Sequence, residues 1–311
     1  MSAAPVVLSG ISYRHGHWHD LADLTARGLA TLADLATLSR GGLTRYSVLD
    51  RPVREHFADC AADSLRSAGL RPSDVDAVVF FSSTFSSYDD HDDLIALCRD
   101  AGLDRALPIG LFQAQCSNFS YALMVATSLI RAQGMSAVLL LGADALDENR
   151  ASRLLPDAGS VFSDTVLSCA VAIGAEDGYT VDHVIHQVEP ELSVLDPARD
   201  TLRFMDLFAG RLTRLCADTY ASTGLRPEDV DHLVLANLTL PVLRNYAGVA
   251  GVPFARVPTA NIARFGHCFA YDQLITLATL ATSGEITAGE VALMLGIGGN
   301  HLFSSSVLRK R

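Results

Sequence analysis

One eight-residue segment occurs twice, and it limits the possible folds more than any other feature of the chain. Gly69-Leu70-Arg71-Pro72-Ser73-Asp74-Val75-Asp76 is matched by Gly224-Leu225-Arg226-Pro227-Glu228-Asp229-Val230-Asp231, with only the fifth position changed. Each copy runs into an apolar stretch. In the first copy this is Ala77-Val78-Val79-Phe80-Phe81, a run expected of a strand covered on both faces. A second echo follows in the same order. Gly134 ahead of the strand Ala137 to Gly142 parallels Gly284 ahead of Glu290 to Gly296. Two ordered echoes imply homologous halves, residues 1–175 and 176–311, offset by about 155 residues. Strands alternate with helical spacing in both. Val6 to Ile11 and Ile109 to Gln113 read as strands, and Asp20 to Leu38, Val53 to Ala68 and Asp93 to Ala101 as helices. The expected class is α/β, with a largely parallel or mixed sheet in each half and helices packed on it.

The chemistry concentrates in Gln113-Ala114-Gln115-Cys116-Ser117-Asn118-Phe119-Ser120-Tyr121-Ala122-Leu123. A small polar turn carries Cys116 into an apolar helical run, which sets the sulfur at a helix N-terminus. Free N–H groups and the helix dipole there favour a thiolate. A buried structural cysteine is the competing reading. The repeat adds a partner. Aligning Tyr121 with Tyr271 sets Gln115-Cys116-Ser117 opposite Phe265-Gly266-His267, and a two-fold arrangement would bring the two turns together. Cys116 as nucleophile and His267 as proton carrier make the pair that acyl transfer requires. Asp272, five residues on, either orients His267 or simply caps a helix.

Charge and cysteine usage remove other classes. A net charge of -11 disfavours nucleic acid and anionic membranes as partners. Six scattered cysteines without a Cys-x-x-Cys pair, no signal-peptide pattern and no membrane-length apolar run point to a reducing, cytoplasmic setting. His15, His17 and His19, and separately Tyr88-Asp89-Asp90-His91-Asp92-Asp93, contain metal-ligand residue types. A polar loop and an acidic helix start are the commoner readings, so no metal is expected.

The ordered motifs resemble the beta-ketoacyl synthase III branch of the thiolase-like superfamily over nearly the whole length. Cys116-Ser117-Asn118-Phe119-Ser120-Tyr121-Ala122-Leu123 is similar to the family's nucleophile turn, and Phe265-Gly266-His267 to its Tyr-Gly-Asn turn. Gly296-Ile297-Gly298-Gly299-Asn300 is similar to its glycine loop. The resemblance implies a five-layered αβαβα thiolase-like fold, a homodimer and Cys116 as acyl carrier. It also implies an oxyanion hole from the Cys116 N–H and one at Gly299 or Asn300. No permanently bound cofactor is expected. The acyl substrate would ride on phosphopantetheine, from an acyl carrier protein or coenzyme A. His301 and Phe119 are expected to line the substrate site, and Arg150, Arg153 and Arg211 are surface candidates for an acidic carrier.

Two departures redirect the function. The segment after the second half's strand carries Asn237 where the condensing enzymes have His, and His267 stands where they have Asn. This exchange resembles an offshoot that transfers acyl groups to oxygen. The expected function is acyl transfer to a hydroxyl or amine acceptor, in secondary metabolism, with Asn237 positioning the acyl group or the base. Decarboxylative condensation with a malonyl thioester, and a catalytically silent partner subunit, remain the alternatives.

Overall fold

The computed structural model describes residues 4–84, 89–156 and 159–311, without the side chains of 89–93. The first part of the chain forms β1 (Val6–Arg14), β2 (His17–Asp20), α1 (Leu21–Ala26), α2 (Leu32–Arg40), β3 (Arg45–Val48), α3 (Val53–Ser67), β4 (Ala77–Phe81), α4 (Asp89–Asp100), β5 (Leu107–Leu111), α5 (Asn118–Gln133), β6 (Ala137–Asp144) and β7 (Thr165–Ile173). The remainder forms β8 (Tyr179–Val188), α6 (Thr201–Thr223), β9 (His232–Val234), α7 (Leu240–Ala250), α8 (Ala260–Phe265), α9 (Asp272–Ser283), β10 (Val291–Gly298) and β11 (Leu302–Lys310). The acidic run Tyr88 to Asp93 lies outside the described residues, apart from the backbone start of α4. Among the described residues no helix is long and apolar enough to cross a membrane.

Nine strands pair in the order β5-β4-β6-β7-β1-β8-β11-β10-β9. The pairing repeats about a seam between β1 and β8, where Val7 faces Thr180 and Leu8 faces Tyr179. On one side β4 runs parallel to β6, which pairs antiparallel with β7. On the other, β9 runs parallel to β10, which pairs antiparallel with β11.

The duplicated octapeptide does the same mechanical work in both places. Gly69 and Gly224 take φ of +70° and +71°, which only glycine adopts cheaply after a helix. Arg71 and Asp74 bracket the next turn, as Arg226 and Asp229 do. The final aspartates then hold register. The Asp76 carboxylate accepts from the Ala137 N–H, and the Asp231 carboxylate from the Val291 N–H.

Alternating strand residues divide the interior into three cores. Ala77, Val79, Phe81, Val138 and Leu140 join Ala292 and Met294 around α5 and α9. Val78, Phe80, Leu139 and Leu141 pack outward beneath α3 and α4. Leu233, Val291, Leu293 and Leu295 do the same beneath α6 and α7. The result is five layers, helix–sheet–helix–sheet–helix, with α5 and α9 at the centre.

Two expectations change. The stretch Asp20 to Leu38 is not one helix. Gly28, at φ +72°, follows the end of α1, and Thr31 with Asp34 forms a capping box that starts α2 afresh. The alignment of Tyr121 with Tyr271 is also out of register. α9 has 12 residues where α5 has 16, about one helical turn fewer. The helix N-termini and the turns before them correspond, Asn118 with Asp272, so the glycines after the two helices fall a turn out of step and Tyr271 stands opposite Ser117.

Glycines let the central helices close on the sheet. A Cβ on Gly142 would lie 2.2 Å from the Tyr271 ring and 2.9 Å from the Phe81 ring, both fully buried. Gly142→Ala should cost about 1–3 kcal/mol through overpacking, read as a lower urea midpoint at unchanged slope. An unchanged midpoint would contradict this packing.

Candidate active site

Cys116 sits in a short 3-10 turn, Gln115–Ser117, that opens α5. Gln115 before it adopts φ +47°, a left-handed conformation costing a non-glycine residue roughly 1–2 kcal/mol. The second half repeats this elbow. Phe269, at φ +52°, opens the turn Phe269–Tyr271 ahead of α9. The helix-starting residues also correspond. Asn118 Oδ1 accepts the Ala114 N–H at 3.0 Å, and Asp272 Oδ1 accepts the Cys268 N–H at 2.8 Å. An amide closes the first elbow and a carboxylate closes the second.

His267 is carried two residues ahead of that second elbow. Its backbone is clamped by the Val161 carbonyl and the Ser163 N–H, 2.8 and 2.9 Å away. The imidazole Nε2 lies 3.4 Å from Cys116 Sγ, and Nδ1 donates to Asp272 Oδ2 at 2.5 Å. His267 and Asp272 are buried, while the cysteine keeps partial exposure. Asp272 also accepts from the Asn237 N–H at 2.7 Å and the Asn237 side-chain amide at 3.0 Å. Burial alone would lower the His267 pKa. The Asp272 carboxylate and the Cys116 sulfur overcome it and raise the imidazole to about 10.

The glycine loop closes the opposite wall. A Cβ on Gly298 would sit 2.1 Å from the Ala114 carbonyl oxygen, and one on Gly296 2.6 Å from Ser304 Oγ and 3.4 Å from Ser117 Oγ. Only glycine allows β10 to approach the cysteine turn this closely. Gly299 and Asn300 follow at φ +54° and +65°. They turn the chain beside Gln115. His301 comes next, and its Nδ1 donates to the Gly299 carbonyl at 2.5 Å.

The structure thus brings Cys116, His267 and Asp272 into one hydrogen-bonded series, with Gly299 and His301 beside Gln115 at the start of the cysteine turn. Other residues lie elsewhere. Phe119 does not line the site. It is 1 % exposed in the central core, with its ring 6.2 Å from Phe81, because it starts the apolar face of α5. Asn237 directs its amide at Asp272, so it bears on the base through the carboxylate. Arg153 is buried against Asp164 and Glu148, and Arg211 pairs with Glu189. Of the three candidate carrier-binding arginines only Arg150 stays largely open, beside Asp147. His15 packs in an aromatic cluster with Phe265 and Trp18, and burial pushes it down to about 4. His17 and His19 approach Asp50 and Asp23. Among the described residues no group of side chains could hold a metal ion.

Phe162 was not singled out from the sequence. Its ring stacks on Phe269 at 4.4 Å and lies 5.2 Å from the His267 ring. No periodicity marks it, since it lies in an irregular segment bridged to His267.

Residues 220–310 match the model of the 3-oxoacyl-[acyl-carrier-protein] synthase III C-terminal family. The chain is 31% identical to beta-ketoacyl-[acyl-carrier-protein] synthase III 4 of Streptomyces coelicolor, over 94% of this chain and 96% of that protein. The chain belongs to the beta-ketoacyl-[acyl-carrier-protein] synthase III family. A second synthase III, from Streptomyces avermitilis, is 28% identical over 94% of this chain and 96% of its own length. Among solved structures, ChlB3, an acyltransferase, superposes with a TM-score of 0.86 at 18% identity, covering 98% of both chains. The synthase III of Aquifex aeolicus gives 0.80 at 20% identity, covering 98% of this chain and 99% of its own. These last two likenesses establish the thiolase-like fold that this synthase III family member adopts.

The ion pair carries a pH signature. His267 keeps its proton to about pH 10 in the folded chain, against about 6.5 when unfolded. Its stabilisation is fully present below about pH 6.5 and is lost as the pH rises towards 10. Urea midpoints should therefore fall across that window, and fall less in His267→Asn. Equal falls in both proteins would show that the pair does not form.

Proposed function

We propose that the chain is an acyltransferase that forms a Cys116 acyl-enzyme and passes the acyl group to a hydroxyl or amine acceptor. One observation carries this reading. Among the described residues, the imidazole that faces the sulfur is backed by a carboxylate, and Asn237 Nδ2 is engaged with that carboxylate. An enolate-stabilising site needs two donors aimed at the substrate. A nucleophile–base–orienter series suits proton removal from an acceptor.

The proton balance closes. The Cys116 thiolate attacks the thioester carbonyl, and the oxyanion is met by the N–H groups of Cys116 and the Gly299–Asn300 turn. The pantetheine thiolate leaves and takes the proton from His267. The imidazole is then neutral, and removes the proton of the acceptor as its oxygen or nitrogen attacks the acyl-cysteine. Cys116 departs as thiolate beside a protonated His267, as at the start. Asp272 keeps the Nδ1 proton in place throughout and stabilises the imidazolium.

The relatives' names refer to acyl carrier protein, which supports a donor on phosphopantetheine; coenzyme A is the alternative carrier. A homodimer belongs to the same reading, as does a setting in secondary metabolism. The assembled set of Cys116, His267 and Asp272 favours an active subunit over a silent one.

Acylation by an acyl thioester, followed by intact mass, should add one acyl group to the wild type and none to Cys116→Ala. Persistent labelling of the variant would remove Cys116 from the mechanism. Asp272→Asn should slow turnover on the order of 10²–10⁴-fold, as loss of the orienting carboxylate does in related triads. A malonyl thioester should release no carbon dioxide above the Cys116→Ala background. Steady release, with a product two carbons longer, would select condensation instead.

A further inference from the structure

Among the described residues, three that are not glycine adopt positive φ: Gln115, Phe269 and Asn300. All three border the site. Left-handed backbone in non-glycine residues persists where surrounding structure enforces it, and it gathers at functional positions. Phe269 has an evident use, because its ring stacks on Phe162 beside His267. Asn300 turns the glycine loop. Gln115 has no comparable packing role. It is exposed, it precedes the nucleophile, and glycine would occupy the same φ without strain.

Its side chain shows what the position is used for. Gln115 Oε1 and His301 Cε1 each lie 2.9 Å from the point where a Cβ on Gly299 would stand. The carboxamide and the imidazole therefore crowd the same side of Gly299, at the turn expected to supply the oxyanion donor. His301 donates its Nδ1–H to the Gly299 carbonyl, which leaves Nε2 as an acceptor. A carboxamide that donates and accepts, and an imidazole that accepts, suit a ligand with adjacent hydroxyl groups. They offer little to an apolar alcohol.

We propose that Gln115 and His301 form the acceptor-reading pair of this site, and that the acceptor is a polyol-type molecule carrying a second hydroxyl next to the one acylated. The pair binds the spare hydroxyl, and the neighbouring one is presented to His267. This rests on the acyl-transfer reading above and adds the class of acceptor. No bond changes at Gln115 or His301, so both are binding residues.

The test separates the two half-reactions. Cys116 is acylated with octanoyl-N-acetylcysteamine, excess donor is removed, and the acyl-enzyme is exposed to glycerol or 1-propanol at matched concentration. Loss of the acyl group is followed by intact mass. Glycerol should discharge the wild type at least tenfold faster than 1-propanol. That ratio should fall to within twofold of unity in Gln115→Gly, whose backbone suits the elbow, and in His301→Phe. The loss should fall on discharge at least tenfold more than on acylation. A ratio that survives in both variants overturns the proposal, as do equal rates for the two alcohols in the wild type. A wild-type acyl-enzyme that neither alcohol discharges overturns the transfer reading and this inference together, and that outcome is distinct from equal discharge.

Discussion

The buried carboxylate of Asp272 is the group on which the site depends. A negative charge taken out of water costs several kcal/mol unless it is paired and hydrogen-bonded. Here the Cys268 and Asn237 backbone N–H groups, the Asn237 amide and the His267 imidazole all donate to it. The first elbow makes the neutral version of this contact with Asn118, whose amide accepts from Ala114 and donates to the Ser82 carbonyl. Both elbows have the same backbone shape, so the difference between them is one of charge. Against the effect of burial, the carboxylate raises the His267 imidazole.

Close approach is the second constraint. β10 can bring its terminal glycines against the cysteine turn because Gly296 and Gly298 carry no Cβ, and β6 makes the equivalent approach to Tyr271 through Gly142. Among the described residues, non-glycine backbone at positive φ falls in the same region, in the elbow residues and the glycine loop. Elsewhere helices end on glycine at positive φ, where left-handed backbone is inexpensive. Rigid central packing lets the strained turns persist, and the strained turns hold the reacting groups in line.

Much of this was legible before any coordinates. The duplicated octapeptide is recognisable because its arginine, glycine and aspartate residues each do a local job that needs that residue type. The Cys116 turn stands out by the order of its residues, and His267 came from a pairing of the repeats that the fold does not keep. What escaped notice depended on geometry that sequence does not encode directly. The shorter α9 moved Tyr271 opposite Ser117, so His267 reaches the sulfur from outside the matching turn. Phe119 has the polarity of a pocket residue but starts the inward face of a helix. Asn237 was marked by its type, but its direction depends on a carboxylate five residues beyond His267. Arg153 looked like surface charge because its partners Glu148 and Asp164 flank it only after folding.

The seam at Val7–Thr180 and Leu8–Tyr179 has a mechanical consequence. Hydrogen-bonded strands run without interruption from one half into the other, so the halves cannot swing apart around the cleft as hinged lobes do. Access to Cys116 therefore depends on shifts of the side chains and turns around it and not on movement of whole lobes.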